Sequence, residues 1–517
     1  MRVSSRPRVR HPAPSRLRLV GHLFVAQGDL TRLACDAVLI PCDSSLNVNR
    51  VWTSILPENL EAGDGHWLRL PGGIDDNGVV PLGDHDGRRI RAFVAVDGDD
   101  TPGTVVGRVW KAIGHVMSDL EPGGGRASPL IGIPLPGTGD GGLRGRRGEV
   151  IDHLLQHHRD NQYSCDIALV LWDRRDFAAA QIRRNSGSDW PELDDEQLAA
   201  ADRLGGLART GQLSLFLGAG VSRPAGLPDW NSLLRQLAAG AGVSDLIEGL
   251  APEDAASRIR EALGDRYHQQ LCDLLDARRH AVGHALLASL RVHQMVTTNF
   301  DPCLELALDA VLESGYSVLA RQLTHDNQPW LLKLNGDVRV PESIVLTRAE
   351  FERHTVESQA LRGVVQALLL TSHLLFVGYS LREESFLALA QEVTRVRQQA
   401  RSTDMRPTGT AVAVTSGDAA DFGYSELHSV AMDETSPADG ARRLEIFLDR
   451  LCWKAASSDD WAAQYLLDDE YASGLRDNER ALKDALQQFM NAVGPDAKTS
   501  PGWSRVSGVL RALGAEL

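Results

Sequence analysis

Short, wholly apolar runs recur along this chain, separated by stretches of helical periodicity, and that pattern leaves few folds open. LVGHLFVAQ, AVLIPC, IRAFVAVDG, LIGIPLP and CDIALVLWD fall within residues 19–175; SLFLGAG, HQMVTTNF, WLLKLNG, SIVLT, HLLFVGYS and GTAVAVT fall within 211–450. Such runs read as strands buried on both faces, as in parallel sheets covered by helices. VGRVWKAIGHVMSDL and RGEVIDHLLQHH carry helical spacing in the first region, LPDWNSLLRQLA and PCLELALDAVLES in the second. Alternation of strand and helix predicts an α/β fold for both. At about 100–200 residues per domain, 517 residues accommodate several units. The expected division is a basic disordered arm at 1–18, an α/β/α sandwich at 19–175 and, at 176–210, a polar linker with an acidic centre, WPELDDEQLAAADR, leading into a helix. A second α/β domain follows at 211–450, and a helical region at 451–517.

Composition narrows the function classes. The net charge is −15, which does not favour a non-specific nucleic-acid binder. Only five of the 54 basic residues are Lys, so the abundance of Arg reflects overall residue usage and carries no functional signal. The cysteines, 35, 42, 165, 272, 303 and 452, show no CxxC spacing. That pattern predicts neither a zinc ribbon nor a disulfide framework, hence no metal, and suits a reducing cytoplasm. VVQALLLTSHLLFVGYS is too short and too polar for a membrane span. The first 18 residues are Arg- and Pro-rich without an apolar core, which fits an arm or a misassigned start better than a targeting signal.

Residues 214–230, SLFLGAGVSRPAGLPDW, run a strand into Gly218-Ala219-Gly220 and then a helix. Two glycines permit a tight turn and close approach to a pyrophosphate. Alone, this signal is equally a glycine turn without ligand. The segment resembles the sirtuin signature, and VTTNFD (296–301), LLKLNGDV (331–338) and LLFVGYSL (374–381) follow in sirtuin order. Their wording is similar to prokaryotic sirtuin-like NAD-cleaving effectors of phage defence, such as those of Thoeris systems. The resemblance implies a Rossmann-like domain with NAD as substrate. It implies that Gly218, Ala219, Gly220 and Ser222 cradle phosphates, and that Pro228, Asp229 and Trp230 form a loop over the nucleotide. Asn299 would hold the ribose or a water, Asp301 the nicotinamide carboxamide, and Gly378 and Ser380 the adenosine. No four-Cys zinc module accompanies these motifs, which counts against a deacylase.

Asn335 stands where the family has a catalytic His, and an amide cannot act as a general base near neutral pH. An amide can still hydrogen-bond a ribose hydroxyl. A slow hydrolase, a binding-only domain and a deliberately inactivated enzyme all fit. His325, His354 and His373 read as surface or structural residues rather than replacement bases.

In the first region, QGDLTRLACDAVLIPCDSSL (27–46) and PLPGTGDGGL (134–143) resemble the two ligand loops of a macro domain. That resemblance implies an ADP-ribose-derived ligand, with Asp29 on the adenine amine and Gly137, Thr138, Gly139, Gly141, Gly142 and Leu143 around the phosphates. Asp43 would stand near the distal ribose in place of the usual Asn. An ordinary glycine-rich turn is the plain alternative. Beyond residue 440, Leu444, Phe447, Leu448 and Leu451 are spaced to pack on the sirtuin-like core, and the last two helices either cap it or mediate self-association.

These readings predict a cytoplasmic NAD⁺ glycohydrolase, oligomeric as sirtuin-like effectors of this kind often are. It would act in antiviral defence and be gated by a nucleotide on the macro-like domain. The alternatives are a regulatory protein that binds NAD or ADP-ribose without turnover, and an enzyme that modifies proteins.

Overall fold

The computed structural model describes residues 20–517 except 59, 63–64, 86, 97–99, 140, 185–186, 320, 325–327, 401–405 and 457–462. The expected arm at 1–18 and His325 lie outside the described residues.

The first region contains β1 (Leu23–Gln27), β2 (Ala37–Asp43), β3 (Asn47–Asn49), β4 (Glu61–Ala62), β5 (Trp67–Arg69), β6 (Val79–His85), β7 (Arg88–Val96), β8 (Leu130–Ile133) and β9 (Asp166–Leu171). Six of them form a sheet in the order β1-β9-β8-β2-β7-β6, parallel except for β6 against β7. The second region contains β10 (Leu213–Leu217), β11 (Gln294–Thr297), β12 (Ser317–Leu319), β13 (Trp330–Lys333), β14 (His373–Val377), β15 (Gly409–Thr415) and β16 (Leu427–Asp433). Its sheet runs β12-β13-β11-β10-β14-β15-β16, with every pairing parallel. Both regions are α/β, as expected.

The two sheets share a core. Alternate residues of a strand face opposite ways. Leu23 and Val25 of β1 pack with Val105 and Val109 of the Pro102–Val116 helix and Ile151 and Leu154 of the Arg147–Asp160 helix. Phe24 and Ala26, on the other face, join Leu286 and Leu287 of the Val282–Ser289 helix and Ile446 and Phe447 of the Pro437–Ala456 helix. The first sheet is therefore covered on its second side by helices from far along the chain. Leu444, Phe447, Leu448 and Leu451, expected to pack on the second domain, belong to this common cluster. Each such side chain is worth about 1.5–3 kcal/mol when fully buried.

Charge reinforces the junction. The fully buried Asp449 accepts from Arg184 Nη1 and Nη2 (2.7 and 2.6 Å), Trp190 Nε1 (2.9 Å) and the Val25 backbone N–H (3.2 Å), and its carboxylate meets His22 Nε2 at 2.9 Å. Burial alone would raise its pKa; Arg184 and His22 outweigh that and hold it well below the carboxylate range. Arg442 pairs with Asp166 at 2.7 Å and Arg126 with Glu445 at 2.7 Å.

Two expectations need correction. The linker at 176–210 is largely helical: Arg174–Arg183 buries Phe177 and Ala178–Ala180 in the core, and Asp195–Arg209 packs along the Pro437–Ala456 helix. Its acidic centre opens the expected helix, with Asp194 and Gln197 forming a capping box. SIVLT (343–347) forms no strand. A short turn at Pro341–Ser343 precedes it, and Thr347 caps the Arg348–Glu357 helix through a capping box with Glu350.

Candidate active site

The second sheet reverses its winding at β10: β11 lies on one side and β14, much later in sequence, on the other. Ligands of open parallel sheets sit at the carboxyl ends of the strands at such a reversal. The turns after β10, β11, β13 and β14 carry Gly218–Ser222, Asn299–Asp301, Asn335 and Gly378–Ser380, so one edge collects them all. Pro228 and Asp229 lead from there into the Trp230–Ala241 helix, which Asp229 caps by accepting from Ser232 N at 2.8 Å. This helix, with Pro252–Leu263 and Tyr267–Leu275, shares an apolar cluster with Phe300, Val338 and Leu346. Trp230 is thereby packed over the edge, its ring 6.5 Å from that of Phe300.

The glycine turns interlock. Gly220 N–H donates to Gly378 O at 2.9 Å. Gly378 has φ +65°, and a Cβ there would lie 2.4 Å from Val221 N. A Cβ on Gly218 would lie 2.5 Å from Gly378 O. Close approach of the two turns thus already demands glycine at these positions. Ala219, Gly220 and Ser380 remain exposed.

Asn299 is buried behind them. Its Nδ2 donates to Gly218 O and Ser222 Oγ, both at 3.1 Å; since a carbonyl only accepts, this fixes the orientation of the amide. Oδ1 is left buried without a partner. Ala281 N–H donates to His284 Nδ1 (3.2 Å), so the ring proton is on Nε2, which faces Ser222 Oγ at 3.3 Å. Burial holds His284 neutral, its pKa lowered to about 4. Ser222 therefore accepts two hydrogen bonds, and its own proton is free to donate.

Asp301 accepts from Cys303 N at 3.0 Å. Asn335 is buried, and its backbone carbonyl accepts from Val345 N at 2.9 Å. A charged residue at this edge was not singled out from sequence: Lys333, fully enclosed, whose Nζ donates to Phe300 O (2.9 Å), Asp301 O (2.8 Å), Glu305 Oε1 (3.1 Å) and Asp337 Oδ1 (3.2 Å). It ties the turn holding Asn299 and Asp301 to the turn holding Asn335. The signal was available: a lysine inside an apolar strand, in a chain with only five lysines.

His284, Asp301 and Cys303 offer ligand atoms within 4.8 Å of one another, the group here that could hold a metal. Their present bonds engage them otherwise: both His284 nitrogens have partners, and the Cys303 thiol, pushed well up by burial, donates to Arg279 O at 3.3 Å. His373 lies at the opposite end of β14, on Thr410 Oγ1 at 2.9 Å. His354 lies on the Arg348–Glu357 helix, and burial lowers its pKa.

In the first sheet, Asp29 and the 134–143 loop follow β1 and β8, and Asp43 ends β2; the parallel order of these strands places all three at one edge. Asp29 Oδ1 accepts from Thr31 N (2.9 Å) and Thr31 Oγ1 (2.7 Å). Asp43 accepts from Ser45 N (2.9 Å), Asn47 N (2.8 Å) and Asn47 Nδ2 (2.9 Å) and so shapes its own turn. Gly137 O accepts from Leu143 N at 3.0 Å and closes the loop; Thr138 and Leu143 are buried, Gly139 and Gly142 exposed, and Gly141 lies between. The C-terminal segment packs beside this loop: Glu470 meets Arg147 at 2.9 Å, and Tyr471 OH donates to Asp176 Oδ1 at 2.6 Å.

Comparison with known proteins agrees with the second sheet's motifs. Residues 293–423 match the model of a SIR2-like domain. Three relatives are each named NAD(+) hydrolase ThsA. Those of Acinetobacter baumannii and Enterococcus faecium are 26% identical over 37% of this chain, and that of Bacillus cereus is 27% identical over 32%. The matches span 41%, 41% and 37% of those proteins, so the chain covers about two fifths of the relatives' length. A macrodomain mutant from Oceanobacillus iheyensis aligns over 32% of this chain and 93% of its own, at 17% identity and a TM-score of 0.23. Among the described residues, no helix is long and apolar enough to cross a membrane. What the comparisons show is thus a SIR2-like domain at residues 293–423, within the second sheet's region.

Proposed function

We propose that the chain is an NAD⁺ glycohydrolase of antiviral defence, releasing nicotinamide and ADP-ribose at the carboxyl edge of the second sheet. The observation that carries this reading is Asn299 Oδ1, a buried acceptor without a partner in an amide whose other end is locked to Gly218 and Ser222. A buried acceptor left unpaired costs about 1–3 kcal/mol, and a ribose hydroxyl or a positioned water would satisfy it. Asp301 binds the carboxamide, Ser222 and the exposed Ala219–Gly220 turn meet the phosphates, Trp230 and its helix cover the nucleotide, and Gly378 and Ser380 flank the adenosine. Nicotinamide is a good leaving group, so the residues chiefly orient the ribose and keep bulk water out.

In the same reading, residues 19–175 are a macro-like sensor for an ADP-ribose-derived nucleotide, held by Asp29, Asp43 and the 137–143 loop. A continuous path supports gating. Just after Asp29, Ala34 N donates to His280 O (2.8 Å) and His280 N to Arg32 O (2.9 Å). His280 precedes the Val282–Ser289 helix, whose His284 contacts Ser222 beneath Asn299. Binding at either site then biases the other by the same factor. Exposed Leu482, Phe489 and Val509 on the last two helices support assembly with further copies of the chain.

The test is chromatographic measurement of nicotinamide from NAD⁺, with and without ADP-ribose and cyclic ADP-ribose, for the protein and for Asn299→Ala. Release that depends on Asn299 is expected. NAD⁺ binding without release under any condition would make the chain a regulatory NAD-binding protein instead.

A further inference from the structure

His284, Ser222 and Asn299 are buried and bonded in series, and the direction of each bond is fixed by the backbone. The Val282–Ser289 helix lies against the turn that holds Ser222: a Cβ on Gly283 would be 3.7 Å from Val221 Cγ2. His284 Nδ1 accepts from Ala281 N at 3.2 Å. A nitrogen that accepts carries a lone pair and no proton, so the neutral ring keeps its proton on Nε2. Nε2 then donates to Ser222 Oγ at 3.3 Å, and Asn299 Nδ2 donates to the same oxygen at 3.1 Å. Both lone pairs of Ser222 are occupied, and its hydroxyl proton has no acceptor among the described residues. Beside it, Asn299 Oδ1 is a buried acceptor without a donor.

These two unmet groups have opposite polarity and belong to side chains bonded to each other. One oxygen that both donates and accepts satisfies them together. A phosphate oxygen would serve only the serine, and an amine only the asparagine. The oxygen of a dinucleotide that does both is a sugar hydroxyl. The match depends on the histidine. Were the Ser222 proton spent on Nε2, two acceptors would face the ligand, and the Ala281 N–H on Nδ1 prevents that arrangement.

We propose that His284 is a positioning residue for the ribose that carries nicotinamide: it turns the Ser222 proton toward the ligand, so that Ser222 and Asn299 hold one sugar hydroxyl between them. The proposal rests on the reading that NAD⁺ binds at this edge, and it narrows that reading. Ser222 serves the sugar, and the exposed Ala219–Gly220 turn serves the phosphates beside it. The imidazole touches no substrate atom and moves no proton.

The probe is carbocyclic NAD⁺, whose bond to nicotinamide is not cleaved. Calorimetry compares its Kd with those of analogues lacking the 2′- or the 3′-hydroxyl of the nicotinamide-bearing ring, and of one with acetylpyridine in place of nicotinamide. For the unsubstituted chain, loss of one of the two hydroxyls should weaken binding roughly 10–100-fold. His284→Asn keeps an acceptor for Ala281 N but does not reach Ser222, and in it that ratio should fall below about threefold. His284→Gln reaches Ser222 with an amide N–H and should restore most of the ratio. Ser222→Ala should lose the ratio without altering the helix, and adding His284→Asn to it should change nothing further. In every variant the acetylpyridine ratio should stay that of the unsubstituted chain. A hydroxyl ratio kept in His284→Asn or in Ser222→Ala, or a change in the acetylpyridine ratio in its place, overturns the proposal. Nicotinamide release from NAD⁺ by the unsubstituted chain then still upholds the hydrolase reading. Failure of the unsubstituted chain to bind the probe overturns both, and NAD⁺ bound without release overturns hydrolysis alone.

Discussion

Replacing Lys333 with Met should cost far more than one surface lysine is worth, and the cost should depend on pH in a defined direction. Lys333 Nζ sits among two carbonyls and the carboxylates of Glu305 and Asp337, all enclosed. Methionine fills the same space, so the cavity term is small. What remains is two buried carboxylates facing each other, with Arg321 as their remaining cation at 3.0 and 2.8 Å. Breaking a buried pair by removing one partner typically costs about 3–5 kcal/mol. Burial already raises the pKa of Glu305, Asp337 raises it further, and Lys333 opposes both. A carboxyl with a raised folded pKa contributes stability that is full below its ordinary value and lost as pH rises through the folded value. Without Lys333 that loss grows, so the deficit of Lys333→Met should be largest near pH 8 and shrink toward pH 5. Urea unfolding followed by tryptophan fluorescence at the two pH values measures it, and adding Glu305→Gln to the variant should restore at least half of the loss. A deficit under about 1 kcal/mol, or one equal at both pH values, would refute the account of Lys333 as the clamp between the two turns.

Three further outcomes follow from the same geometry. Gly378→Ala meets a left-handed φ and a backbone nitrogen at once, so it should cost at least about 2 kcal/mol in denaturant unfolding; unchanged stability would mean that the turns do not interlock. Asp449→Asn should destabilise the chain by about 3–5 kcal/mol at neutral pH. The Asp449 carboxyl is held low, so its contribution is present above the ordinary carboxylate value and lost as pH falls through the depressed one. The raised pKa of His22 acts oppositely: its contribution is complete below the ordinary imidazole value and lost as pH climbs through the raised one, and unfolding of Asp449→Asn and His22→Gln across pH 3–9 separates the two. Nicotinamide release should survive EDTA, because the atoms of His284 and Cys303 that would bind an ion already have partners; loss on chelation and recovery with zinc would assign the cluster a metal.

What the sequence disclosed and what it withheld divide along physical lines. Apolar runs such as Leu213–Leu217 and Leu374–Val377 are local, and they reported buried parallel strands because a strand covered on both faces has no polar alternate to confuse it. Edge strands β12 and β16 were missed: Ser317–Leu319 is only three residues long, and β16 reads His428-Ser429 in its first half. The first part of the expected linker was misread, because the burial of Phe177 and Ala178–Ala180 comes from distant elements; the helix after the acidic stretch carries its own local signal, the capping box of Asp194 and Gln197. At the candidate site, the glycines and amides were legible because each lies within a short motif at one strand end. Lys333 was not, since its role comes from its contacts with the turn that follows another strand, β11. The common core was also invisible for this reason. Phe24 and Phe447 occupy one apolar cluster while standing more than four hundred positions apart, and no periodicity links them. The chemistry of this molecule therefore depends on side chains that sequence patterns locate only singly. On the proposed reading, communication between the sheets would run through His280 and His284, which connect the turn after Asp29 with Ser222 beneath Asn299 although no sequence pattern pairs them.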